Sequence, residues 1–93
     1  MLTFEWDSRK ADQNLRKHGV PFDEAATIFS QTQVIVFFDP DHSQGEDRFI
    51  IIGISSQGRL LMVAFTERGD VIRIISSRRA TRSEERFYNE QTG

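Results

Sequence analysis

Gly58–Glu90 reads GRLLMVAFTERGDVIRIISSRRATRSEERFYNE: two strands, a turn, an arginine-rich exit and a capped helix in succession. Leu60–Thr66 and Val71–Ser77 are rich in Val, Ile, Leu and Phe and hold no Pro, the composition of strands that face a core. Glu67-Arg68-Gly69-Asp70 joins them, with Gly69 free to take positive φ at the turn. The expected pairing sets Thr66 opposite Val71, Ala64 opposite Arg73 and Met62 opposite Ile75. An arginine thus stands inside a strand, facing the smallest side chain of its neighbour. Thr81 and Glu84 have capping-box spacing, so a last helix starts there and runs to about Glu90.

Working outward, Leu2–Trp6 is a short strand. Asp7 caps, and Gly19 stops, a helix over Ser8–His18. Ser8, Ala11 and Leu15 form its expected buried stripe; Lys10, Asn14 and Lys17 line one border, with His18 between the two. Pro21 opens a second helix, Phe22–Phe29. Gln33–Phe38 is a strand, Asp39–Asp47 an acidic loop, and Arg48–Ile54 a strand turned by Ser55–Gly58 into the next. Carrying strand parity through both hairpins puts Ile50, Ile52, Ile54, Leu61, Val63, Phe65, Ile72 and Ile74 on the face that the first two helices cover. The opposite face takes Phe49, Ile51, Gly53, Leu60, Met62, Ala64, Thr66, Val71, Arg73 and Ile75, and Arg79 falls on the side of Arg73. The fold class is α+β in one domain, residues 1–93.

Composition narrows the function classes. The 93 residues contain no cysteine, which excludes a disulfide frame and a thiolate zinc site. No apolar run reaches the roughly 18 residues of a membrane span, and no signal peptide is visible, so a cytoplasmic protein is expected. The net charge of −2 argues against nucleic-acid binding, yet its distribution does not. Residues 1–58 hold five basic and nine acidic side chains, whereas residues 59–93 hold seven basic and five acidic.

Six arginines from Arg68 to Arg86 suit phosphate, which a guanidinium grips with two parallel hydrogen bonds. A plain solvated face is the better account of Arg82 and Arg86, four residues apart on a helix; it does not account for Arg73 within a strand. Lys10, Asn14 and Lys17 would be a wet flank in most helices, and His18 an ordinary residue at a helix C-terminus. Asp39, Asp41, Ser43 and Asp47 suggest oxygen ligands, but a calcium loop wants Gly and Glu where Gln44 and Ile50 stand. No metal site and no cofactor are expected.

Phe4-Glu5-Trp6-Asp7, Asn14-Leu15-Arg16-Lys17-His18-Gly19-Val20, the Arg48–Gly53 strand and Ile72–Thr81 (IRIISSRRAT) together resemble the BrnT family of bacterial toxins, in order over nearly the whole chain. The resemblance implies a RelE-like fold: a small antiparallel sheet, two N-terminal helices on one face and a short C-terminal helix. It also implies a ribonuclease that stops translation, held inactive in a hetero-oligomer by a BrnA antitoxin whose ribbon-helix-helix region meets DNA. The toxin itself would touch RNA, and DNA only through that partner. Metal-free cleavage uses the 2′-OH as nucleophile and needs a base, a cationic clamp and an acid. Arg73 and Arg79 suit the clamp, and His18 or Lys10 the proton transfers, with Glu67 a spare base. Asn14, Lys17, Arg78 and Arg82 would hold RNA. The competing reading is a non-catalytic module that binds a protein through the Arg73 face.

Overall fold

The computed structural model describes residues 2–93. The chain runs β1 (Thr3–Glu5), α1 (Ser8–His18), α2 (Phe22–Ala26) continued by a 3-10 turn over Thr27–Ser30, β2 (Ile35–Phe38), β3 (Phe49–Ile54), β4 (Leu60–Arg68), β5 (Val71–Arg79) and α3 (Arg82–Thr92). Asp7 caps α1 by accepting from Arg9 N and Lys10 N, and Gly19 closes it. Thr81 and Glu84 form the expected capping box of α3.

The five strands lie in the order β1-β5-β4-β3-β2. The sheet is mixed, not wholly antiparallel: β1 runs parallel to β5, with Glu5 beside Arg73. A parallel neighbour needs a long crossover, and here that crossover is everything from α1 to β4.

Two turns set the registers, and both differ from the expected ones. Ser55 N donates to Arg59 O at 2.8 Å and Gly58 N to Ser55 O at 2.9 Å, so the loop is three residues, Ser56–Gly58, with Gly58 at φ 77. Ile54 therefore faces Leu60, and Phe49, Ile51 and Gly53 share a face with Phe65, Val63 and Leu61. The isoleucines Ile50, Ile52 and Ile54 lie on the other face, the reverse of the parity reading. In the second hairpin Arg68 pairs with Val71 around Gly69-Asp70, Gly69 at φ 60 occupying the first turn position. Thr66 thus opposes Arg73, and Ala64 opposes Ser76.

Between those two pairs the register slips, leaving Ile75 as the extra residue of a β-bulge. A bulge inverts parity beyond it. Ile72, Ile74 and Ser77 are buried on one side, and Arg79, opposite Leu61, follows them. Arg73 and Arg79 are consequently on opposite faces, which corrects the shared side expected for them. Arg78 is the residue that shares the face of Arg73.

The core lies between the first face and the N-terminal helices. Val20, Phe22, Ala25 and Ile28 are buried with Ile51, Leu61, Val63, Phe65, Ile72 and Ile74 in one cluster. Edge-to-face and stacked rings continue it through Phe4, Phe29, Phe65, Phe49 and Phe38, with centroids 5.0–5.8 Å apart. α1 docks differently from the expected stripe: Leu15 is 46% exposed, and the buried residue is Asn14. α3 lies over the second face, where Ile52 is buried and Tyr88 donates to Gln33 O at 2.6 Å. No helix among the described residues is long and apolar enough to cross a membrane.

Candidate functional site

β1 covers only the first three residues of β5, so the strand beyond Arg73 has an open edge. Asn14 fills it. Its Nδ2 donates to Ser77 O at 2.8 Å and its Oδ1 accepts from Ser77 N at 3.1 Å, pairing as a neighbouring strand would. Nδ2 also reaches Val20 O at 3.1 Å and Ser77 Oγ at 3.0 Å, tying the turn after α1 to the same point. His18 stands one helical turn beyond Asn14 on the same side of α1. That places it over the bulged part of β5.

His18, Ser76, Ser77 and Arg78 surround a cavity of about 190 Å³ floored by Ile50, Met62 and Ala64. The bulge is what exposes this floor: it brings Ser76 and Arg78 to the open face opposite Ala64 and Met62. Arg78 is held by Glu84 of α3 through Nη1–Oε1 at 2.7 Å and Nη2–Oε2 at 2.8 Å. Nη1 also donates to Arg79 O at 3.2 Å and Nη2 leans on the Met62 sulfur at 3.5 Å, so Nε–H is the donor left uncommitted. The Glu84 pair raises the Arg78 pKa further. Arg78, and then the Thr81 backbone N–H, hold the Glu84 carboxyl down at about 2. One cleft thus joins an imidazole, a group able to pass a proton, to a guanidinium that keeps an N–H for a phosphate oxygen.

The family model described as "Ribonuclease toxin, BrnT, of type II toxin-antitoxin system" matches residues 6–84, a span that contains every group lining the cleft. This chain belongs to the BrnT family. No curated protein matches it. Among solved structures, the crystal structure of the Brucella abortus ribonuclease toxin BrnT superposes with a TM-score of 0.64 at 24% identity, over 88% of this chain and 100% of that one. At that identity the likeness speaks for the fold: α+β, three helices and a five-stranded mixed sheet.

In this BrnT fold the other residues singled out from sequence are dispersed. Lys10 is exposed eight residues before His18, about 12 Å away along the helix axis. Lys17 and Arg82 are exposed and do not line the cleft. Arg73 pairs with Glu5 at 3.3 Å, roughly 15 Å from Arg78 along the strand. Arg79 turns toward the α2 side, where its charge helps to depress the Glu24 carboxyl. The larger causes there are the Arg59 hydrogen bonds and the Ser55 hydroxyl at 2.7 Å. Glu67 is exposed at the far hairpin, and Asn14 is a buried anchor, closed off from RNA.

Ser76 escaped the sequence reading. Ser76 needed the bulge to be known. Glu84 was visible as a cap, and its bidentate hold on Arg78 is a second use of the same carboxylate. In the acidic loop Asp39 engages His42 at 3.0 Å and Glu46 engages Arg68 at 2.9 Å. Among the described residues no three His, Cys, Asp or Glu side chains gather as a metal site.

Proposed function

We propose that this chain is a metal-independent endoribonuclease toxin that cleaves RNA at the His18–Arg78 cleft and thereby arrests translation in the cytoplasm. The observation that carries the reading is that cleft, which unites a proton-transfer group and a phosphate ligand in a chain of the BrnT ribonuclease toxin family. His18 takes the 2′-OH proton while a solvent water protonates the leaving 5′ oxygen, or it protonates that oxygen while water takes the 2′-OH proton. The 2′ oxygen then attacks phosphorus, and the P–O5′ bond breaks to give a 2′,3′-cyclic phosphate and a 5′-OH. Arg78 neutralises the pentacoordinate phosphorane, and Ser76 offers a hydroxyl to a phosphate oxygen. Lys17 and Arg82, outside the cleft, meet flanking phosphates.

A BrnA-type antitoxin with a ribbon-helix-helix DNA-binding region holds the toxin inactive, as the family likeness suggests; RelE-like toxins are the broader relatives. Incubation of the purified chain with end-labelled RNA in excess EDTA tests the catalytic reading. Fragments ending in cyclic phosphate and beginning in 5′-OH are expected. Intact RNA in EDTA, with cleavage restored by magnesium, would replace this mechanism with a metal-assisted one.

A further inference from the structure

β2 is the last strand of the sheet and, among the described residues, pairs only with β3. Exposed sheet edges in natural proteins carry lysine, proline or a bulge that blunts pairing with other chains. β2 is Ile-Val-Phe-Phe and has no such device. Val36, Phe37 and Phe38 are 52, 41 and 47% exposed. Asp39 N donates to Arg48 O at 2.8 Å, and bonded residues alternate along an antiparallel pair, so Ile35 and Phe37 also bond inward. Val36 and Phe38 therefore turn their N–H and C=O outward. Beside this edge, on the face of α3, Ile35, Phe37, Ile52, Met62 and Phe87 line an apolar cleft of about 370 Å³.

We propose that the outer edge of β2 is the docking site of the antitoxin, which adds an extended segment to the sheet; this rests on the toxin reading above. The segment is apolar at alternate positions, seating one side chain in the Phe37–Phe87 cleft. It is basic at the end lying beside Phe38. That charge follows from the loop over residues 39–47, which holds Asp39, Asp41, Glu46 and Asp47 and no Lys or Arg. His42 and Arg68 engage Asp39 and Glu46, while Asp41 and Asp47 have no ion-pair partner among the described residues. A second copy of this chain fits the edge less well. Its β2 would bring either the same acidic loop or the uncharged Gln31-Thr32-Gln33 to that end, and no cation in either orientation. Main-chain pairing supplies affinity in strand addition, and pockets for alternate side chains supply selectivity.

The probe is the antitoxin whose co-expression restores growth. If no co-encoded protein restores growth, the toxin reading fails and this proposal falls with it; growth is therefore scored first and the docking edge second. In the complex the Val36 and Phe38 amides should slow in hydrogen exchange by about 100-fold or more relative to the free toxin. Val36→Pro removes one outward donor without touching the β3 ladder. It should weaken antitoxin binding by about tenfold or more with RNA cleavage unchanged. Val36→Lys, a blunted edge, serves the same purpose should the proline variant fold poorly. Unprotected Val36 and Phe38 amides in a neutralised complex, or wild-type affinity in both variants, would overturn the docking edge. A free-toxin dimer that Val36→Lys dissolves would assign the edge to a second copy and overturn the proposal equally.

Discussion

Asn14 holds Ser77 by both of its main-chain groups, at 2.8 Å to the carbonyl oxygen and 3.1 Å from the N–H, and so a side chain stands in for a missing strand. Buried main-chain groups without partners are costly, so the amide stabilises the edge of β5 by more than an ordinary polar contact. It also fixes where α1 sits along β5, and with it the position of His18 over the cleft.

Replacing Asn14 by Ala should therefore destabilise the fold by about 2–4 kcal/mol, since Ser77 N–H and C=O are left unpaired. For a chain of this size that corresponds to a fall in Tm of roughly 10–20 °C. Thermal unfolding followed by circular dichroism measures it. A fall under about 3 °C would mean that water replaces the amide at little cost.

Thr66 offers the opposite case. Its hydroxyl is buried, with the residue 1% exposed, and has no hydrogen-bond partner among the described residues. Val has nearly the same shape and no polar group to desolvate. Thr66→Val should leave the protein as stable or raise stability by about 1 kcal/mol, read as a Tm gain of a few degrees. A clear loss would show that the hydroxyl finds a partner in solution.

The Glu84–Arg78 pair makes stability depend on acid. The folded-state pKa of Glu84 is about 2, below the ordinary 4.5. A depressed carboxylate contributes stability that is complete above its unfolded pKa and is lost as pH falls toward the folded one. The contribution is roughly 1–2 kcal/mol after solvent screening, because the carboxylate remains partly exposed. Glu84→Gln should lower Tm above about pH 5. The gap to the unsubstituted protein should close between pH 4.5 and about 2. A gap independent of pH would assign the loss to the cap hydrogen bond, which the substituted amide keeps only in part.

Local signals in the chain were legible and long-range ones were not. Asp7 and Gly19 bound α1, and Thr81 with Glu84 starts α3, because caps are side chains reading their own backbone. The sheet faces turned on loop length: Ser55–Gly58 reads equally well as a four-residue turn, and counting one residue too many moves every β3 side chain to the wrong face. The Ile75 bulge has no sequence signature, since the residue is as apolar as its neighbours. It alone decides that Arg78 and not Arg79 shares the open face. The meeting of His18 with Ser76 and Arg78 depends in turn on Asn14, whose polar character suggested a wet flank when it marks the buried one.

The same bulge ranks the arginines in activity. Arg78→Ala and His18→Ala should each reduce RNA cleavage by about 100-fold or more, as expected when a clamp or a proton-transfer group is lost. Arg73→Ala and Arg79→Ala should cost less than about tenfold, because Arg73 is paired with Glu5 and Arg79 lies on the other face. Arg78→Ala also breaks the contact with Glu84, so its effect alone does not separate chemistry from folding. Glu84→Gln supplies the control: it weakens that contact while keeping the guanidinium. Cleavage retained or increased in Glu84→Gln, and lost in Arg78→Ala at matched Tm, places the guanidinium on the phosphate. Arg78→Lys should recover little, since an ammonium cannot hold both Glu84 oxygens as the planar fork does and still aim a separate N–H at phosphate. A loss in Arg73→Ala as deep as that in Arg78→Ala would move the site to the Glu5 edge of the sheet.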